Sequence, residues 1–245
     1  MYRNLGSIKL MNWQWYDTKP KTHQYKLGNT ILAQTSSHTY LGVEISEDLK
    51  WNNHINKITA KSSRVLGFIK RNLRSCPSNL RSKAFQTLVR PHLEYCSTVW
   101  NPHTKELTDK IETIQRRGAR FVFSDYRRTS SVTTMLKKLD WKPLHLRRKG
   151  ACVSMFHKIV NNQVAIPAHE FVQPVQTRKS SRLSHNQSYS RLTGRTDQYM
   201  NSYFPLTTKS WNNLPQQLVD IKPSTHFKTA VAEHIFSQEE STQRE

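Results

Sequence analysis

The sequence predicts a mainly α protein: a helical bundle with a small N-terminal β-hairpin region and a small C-terminal helical unit. Three observations carry that reading. From Trp51 onward, apolar residues recur with the spacing of one helix face. Before that point, short β-forming stretches flank a Gly28-Asn29 turn. Prolines and capping residues then punctuate the chain at helix-length intervals.

Residues 1–50 form the β region. Tyr2 to Tyr16 has no clear period, whereas Tyr25 to Leu32 reads as a hairpin and Thr39 to Ile45 as one further strand. Those strands are expected to be poorly held, with an exposed edge. Residues 51–165 form the bundle. In its first helix Ile55, Ile58, Ser62, Val65, Leu66, Ile69 and Leu73 share a face. Cys76-Pro77 breaks it, and Ser78 is placed to cap the next helix. Pro91 restarts or kinks the chain, because proline cannot donate a backbone hydrogen bond. Thr104 begins a helix with acids early and arginines late, in which Glu112 and Arg116 form an i,i+4 pair. Ser130 or Ser131 caps a short helix, and Pro143 takes the first position of the last.

Residues 166–200 are rich in Ser, Gln and Arg and read as a basic, flexible linker. Residues 201–245 form the closing unit. There Ser224 caps a helix carrying Phe227, Val231 and Ile235, and a polar, disordered tail begins at Ser237.

The net charge is +21 and the isoelectric point about 10.1. Such a charge repels itself, and a polyanion relieves it. Acids are absent from Leu49 to Leu93, a run that holds Lys57, Lys61, Arg64, Lys70, Arg71 and Arg74. A merely solvated face mixes signs, so this one points to nucleic acid. Arg116, Arg117 and Arg120 form a second cluster, and Arg147 and Arg148 with Lys149 a third. Each is either a phosphate clamp or a structural partner for Glu94, Glu112 or Asp125. The aromatics among them, Phe68 and Phe121, read as core residues on a buried face.

A self-contained active site is not legible. The adjacent acidic pairs, Glu47-Asp48 and Glu239-Glu240, fall in a turn and a tail rather than on a strand, where two-metal chemistry needs them. Neither a paired-histidine metal motif nor a Gly-rich phosphate loop is present. No metal and no cofactor is expected. Three scattered cysteines and the lack of an apolar leader predict a reducing, intracellular setting, nuclear or cytoplasmic, with no membrane association.

The strings YLGVEISEDLKWNNHI, RNLRSCPSNLRSKAFQTLVRPHLEYCSTVWNPH, IETIQRRGARFV, LDWKPLHLRRK and YFPLTTKSWNNLP occur here in a fixed order. From about Tyr25 to Phe236 the chain resembles the C-terminal part of the reverse transcriptases of non-LTR (LINE, jockey-type) retrotransposons. The resemblance implies that Tyr40, Leu41, Gly42 and Val43 match the primer-grip hairpin at the palm's edge. It also implies a thumb-like bundle that holds an RNA or RNA/DNA template–primer by its backbone. The family's catalytic Tyr-x-Asp-Asp has no counterpart here, and its Mg2+ belongs only to an intact polymerase. The expectation is a fragment of an RNA-directed DNA polymerase, inactive alone. The alternatives are a pseudogene remnant with no biochemical role, or part of an active enzyme whose palm lies upstream.

Overall fold

The computed structural model describes residues 25–33, 35–175 and 185–242, and the protein is mainly helical with two small antiparallel sheets near its N-terminus. The chain divides into a unit ending at Lys57 and one starting at Ile58. Tyr2 to Tyr16 lies outside the described residues.

In the first unit, β1 (Lys26–Leu27) pairs with β2 (Thr30–Ile31) across Gly28-Asn29, as the turn residues require. The stretch expected as one strand is instead a second hairpin. β3 (Ser37–Tyr40) pairs with β4 (Val43–Ser46), with Tyr40 opposite Val43. Leu41 and Gly42 turn the chain at φ +46° and +81°. Two successive positive φ values match the right-handed twist of a hairpin, and Gly42 accepts this without strain. The β-forming character of Tyr40, Leu41 and Val43 hides the turn.

α1 (Asn52–Asn72) follows and crosses into the second unit. Leu66, Ile69 and Ser62 are buried there, in line with the periodicity. α2 (Ser78–Ala84) begins at Ser78, with Pro77 in the cap position. A π-helical turn (Phe85–Val89) joins it to α3 (Arg90–Glu94). Pro91 lies in the first turn of α3, and its missing N–H accounts for the altered winding just before it. α4 (Ser97–Trp100) and α5 (Lys105–Phe123) come next. α6 (Val132–Lys138) is capped by the Ser131 hydroxyl, which accepts from the Thr134 amide. α7 (Leu144–Val160) starts one residue after Pro143.

α7 is the axis of the second unit. It packs against α4 and α5 and also against α10 (Tyr203–Asn212) and α12 (Ser224–Thr242). Phe156 of α7, Trp211 of α10 and Phe227 of α12 are fully buried in one core, with rings 5.3–5.9 Å apart along that series. Three more short helices complete the unit: α8 (Ala168–Phe171), α9 (Asp197–Met200) and α11 (Gln216–Val219).

The segment read as a linker contains packed anchors. Val172 is buried in the Trp211 core, Pro174 bridges Tyr189, and the His185 ring bonds to the Trp211 carbonyl. A few apolar side chains at wide spacing suffice when each fills a hole in a core made elsewhere, and composition does not register them. Residues 176–184 lie outside the described residues. The expected tail is helical through Thr242. Its polar residues continue a helix already nucleated on Phe227 and Val231.

Candidate nucleic-acid interface

In the first unit, the β3–β4 tip presents Tyr40 and Leu41 to solvent, Leu41 at 72% exposure, while Val43 is buried. Lys57 does not stand free. Its Nζ lies 2.7 Å from Glu44 Oε2 and 2.9 Å from Thr39 Oγ1. Ser37 and Thr39 also donate to the Glu44 carboxylate, and β-sheet register places Thr39 opposite Glu44. Lys57 foremost, then Thr39, hold the Glu44 carboxyl at about 2. His54 accepts from the Glu44 amide through Nδ1. Burial first, then the charge of Lys57, lower its ring to about 4.

Both shifts make this unit acid-sensitive. Between pH 6.5 and 4 the unfolded chain binds a proton at His54 that the folded chain refuses, so stability falls as pH falls. Glu44 adds a further loss from pH 4.5 towards 2. We expect the β3–β4 amide resonances to lose their folded dispersion as pH drops through this window. A His54 ring that titrates near 6.5 with the hairpin intact would contradict it.

In the second unit α1 presents Lys61, Arg64 and Arg71 on its solvent face. Their spacing repeats at helical intervals, so they line one side over about 15 Å. Phe68 lies in the same stripe at 56% exposure. Its expected place in the core is not observed; the helix period gives that face to Ile69, which is buried. Arg74 is exposed in the turn after α1.

Lys70 points elsewhere. Its Nζ lies 5.2 Å from the centre of the Tyr126 ring. Burial and the nearby charge of Arg117, an exposed residue of α5, lower its pKa. Arg117 repels the Lys70 charge, and a phosphate beside both would offset that repulsion. Lys70 and Arg117, far apart in sequence, are thereby brought together.

The other arginines of the second and third clusters have partners within the protein. Arg116 pairs with Asp109 at 3.5 Å rather than with Glu112. The expected i,i+4 pair fails because Glu112 faces inward, where it accepts from the His145 amide at 2.8 Å. Arg120 donates to the Arg127 carbonyl at 2.8 Å and to that of Asp125, holding the loop after α5. Arg147 grips both oxygens of Glu94 through Nε and Nη2. Arg148 is only 1% exposed; its Nε donates to Asn101 Oδ1 at 3.1 Å, and its guanidinium lies 6.0 Å from the Trp100 ring. A side chain so enclosed cannot reach a phosphate, so Arg148 is structural, whereas Lys149 of the same cluster is exposed.

Sequence reasoning passes over three side chains here. Arg81 donates to the Phe121 carbonyl at 2.9 Å and so caps the C-terminus of α5. Tyr126 and Arg127 stand exposed on the loop after α5. Their position beside basic residues is the signal that could have found them.

Among the described residues no group of His, Cys, Asp or Glu is arranged to hold a metal ion, and no helix is long and apolar enough to cross a membrane. The three cysteines are free, and burial pushes the Cys152 thiol up to about 11. No protein-family model matches the chain, and comparison with curated proteins and with solved structures gives no match.

Proposed function

We propose that the second unit grips a nucleic-acid duplex by its phosphate backbone. In this reading it is the thumb-like part of a reverse transcriptase of the non-LTR retrotransposon kind, catalytically silent without a palm, and its partner is an RNA or RNA/DNA template–primer. The β3–β4 tip would be the primer-grip counterpart. The observation that carries the proposal is the exposed stripe of Lys61, Arg64 and Arg71 around Phe68, on a helix without a single acid. Its length of about 15 Å spans roughly four to five phosphates of one strand. Lysine and arginine on a helix face meet phosphates without reading bases, so binding should tolerate any sequence.

The test is binding of an RNA/DNA heteroduplex across a salt series. The affinity should fall steeply with salt. The triple variant K61E/R64E/R71E should flatten the log–log slope by about one unit for each phosphate it no longer neutralises. R147A should leave the slope unchanged, because that side chain is spent on Glu94. A salt-independent affinity, or equal slopes for wild type and triple variant, would refute the proposal.

A further inference from the structure

We propose that the groove at the C-terminal end of α5 is a stacking pocket for an unpaired base, so that the protein holds single-stranded nucleic acid next to the duplex. This rests on the backbone-binding reading above and extends it to a different part of the ligand.

The groove has a volume of about 630 Å³, within the range of about 300–1,000 Å³ that suits small-molecule and nucleotide sites. Phe123 and Met135 line it with apolar surface, and Tyr126, Arg127 and Lys138 are exposed around them. Tyr126 is 58% exposed, so much of its ring is open to solvent. Arg127 adds a second planar group. Its Nε and Nη2 donate to the two oxygens of Asp125 at 3.2 and 3.1 Å, while its side chain stays 79% exposed. A guanidinium pinned along one edge keeps its faces open for stacking. Two adjacent planar faces, one aromatic and one cationic, are what sequence-tolerant single-strand binding uses.

Electrostatics agree. Among the described residues Asp125 is the one acid that lines the groove, and its charge is taken up by Arg127 and by the Ser130 hydroxyl at 2.6 Å. Those bonds hold its carboxyl well below the ordinary range, so it stays an acceptor for them. The hydroxyls of Ser131 and Thr134 line the same groove and can meet the polar edge of a base. Tyr126 also connects the groove to the phosphate cluster, since the Lys70 amine sits 5.2 Å from its ring. A strand whose phosphate lies at Lys70 and Arg117 therefore has a ring waiting for the next base. An acidic peptide would satisfy the cations but leave the two stacking faces unused.

The experiment compares three RNA/DNA heteroduplexes by fluorescence anisotropy with the full chain. One is blunt, one carries a four-nucleotide single-stranded overhang, and one carries the same overhang with abasic sugars. The overhang should tighten binding about tenfold, the scale of one stacked base. The abasic overhang, which keeps every phosphate, should bind like the blunt duplex. Y126A should lose the overhang gain and keep blunt-duplex binding, while Y126F should keep both. Equal gains from normal and abasic overhangs, or an unchanged gain in Y126A, would overturn the pocket and leave duplex binding standing. Failure to bind any of the three would overturn both readings. Far-ultraviolet circular dichroism melts of Y126A confirm that the comparison is made on folded protein.

Discussion

G118A should destabilise the second unit by about 2 kcal/mol although alanine is the better helix former. Gly118 sits in the interior of α5, where glycine ordinarily costs about 1 kcal/mol. The reason for that choice is Phe85. A Cβ at position 118 would stand 2.4 Å from one ring carbon of Phe85 and 2.6 Å from another. The ring cannot retreat, because it stacks on Trp141 at 4.5 Å with an interplanar angle of 21°. Both rings are buried. Overpacking of this kind costs about 1–3 kcal/mol, occasionally more, and that outweighs the gain in propensity. Urea unfolding at constant m-value measures the loss. F85L should recover part of it in the double variant, since the clash is between those two positions. A G118A protein as stable as wild type would mean that α5 and the π-helical turn are not packed this closely.

E112A should cost more, about 3 kcal/mol or above. The Glu112 carboxylate reaches from α5 to the start of α7, where it accepts from the His145 amide at 2.8 Å and faces the His145 ring at 3.3 Å. A helix start needs such acceptors for its first amides, and here another helix supplies one. Burial alone would raise the Glu112 pKa. The bonds from His145 and the Leu144 amide, with the charge of Arg148, overcome it and hold the carboxyl below its ordinary value. Removing Glu112 takes from the buried Arg148 its largest favourable charge and leaves the buried amides of Leu144 and His145 without their acceptor. E112Q keeps an acceptor for the amide but not the charge, so it should fall between wild type and E112A. Equal stability of E112Q and E112A would assign the effect to charge alone. A loss below about 1 kcal/mol in E112A would show that Arg148 finds another partner.

The helices are legible because their information is local. In α1 the period of Ile55, Leu66 and Ile69 requires no knowledge of what they touch. Ser130 or Ser131 is named as the α6 cap for the same reason, the structure choosing Ser131, and Gly28-Asn29 announces its own turn. What fails depends on partners. Glu112 and Arg116 have ideal i,i+4 spacing, but spacing cannot say that Glu112 is the inward residue and Asp109 the outward one. Arg147 and Arg148 resemble a phosphate clamp in sequence. Glu94 and Asn101, which engage them, lie some fifty positions away. The Leu41-Gly42 turn escapes notice because a leucine at positive φ breaks the local rule, and only pairing of Thr39 with Glu44 makes it necessary. For the interface, the charge of α1 is readable and the exposure of Phe68 is not. Lys70, Arg117 and Tyr126 come from three segments, and nothing in the local sequence of any of them announces the other two.

The central place of α7 bears on how the chain is made. Phe156 needs Trp211, Phe227 and Val231 to be covered, and each of these follows it by many residues. At a synthesis rate of roughly 5–20 residues per second, α7 emerges from the ribosome about 3–15 s before they do. During that interval its apolar face lacks these three partners. Nascent chains stalled with residue 165 just clear of the exit tunnel should therefore recruit chaperones, and those in which residue 242 has also cleared it should release them.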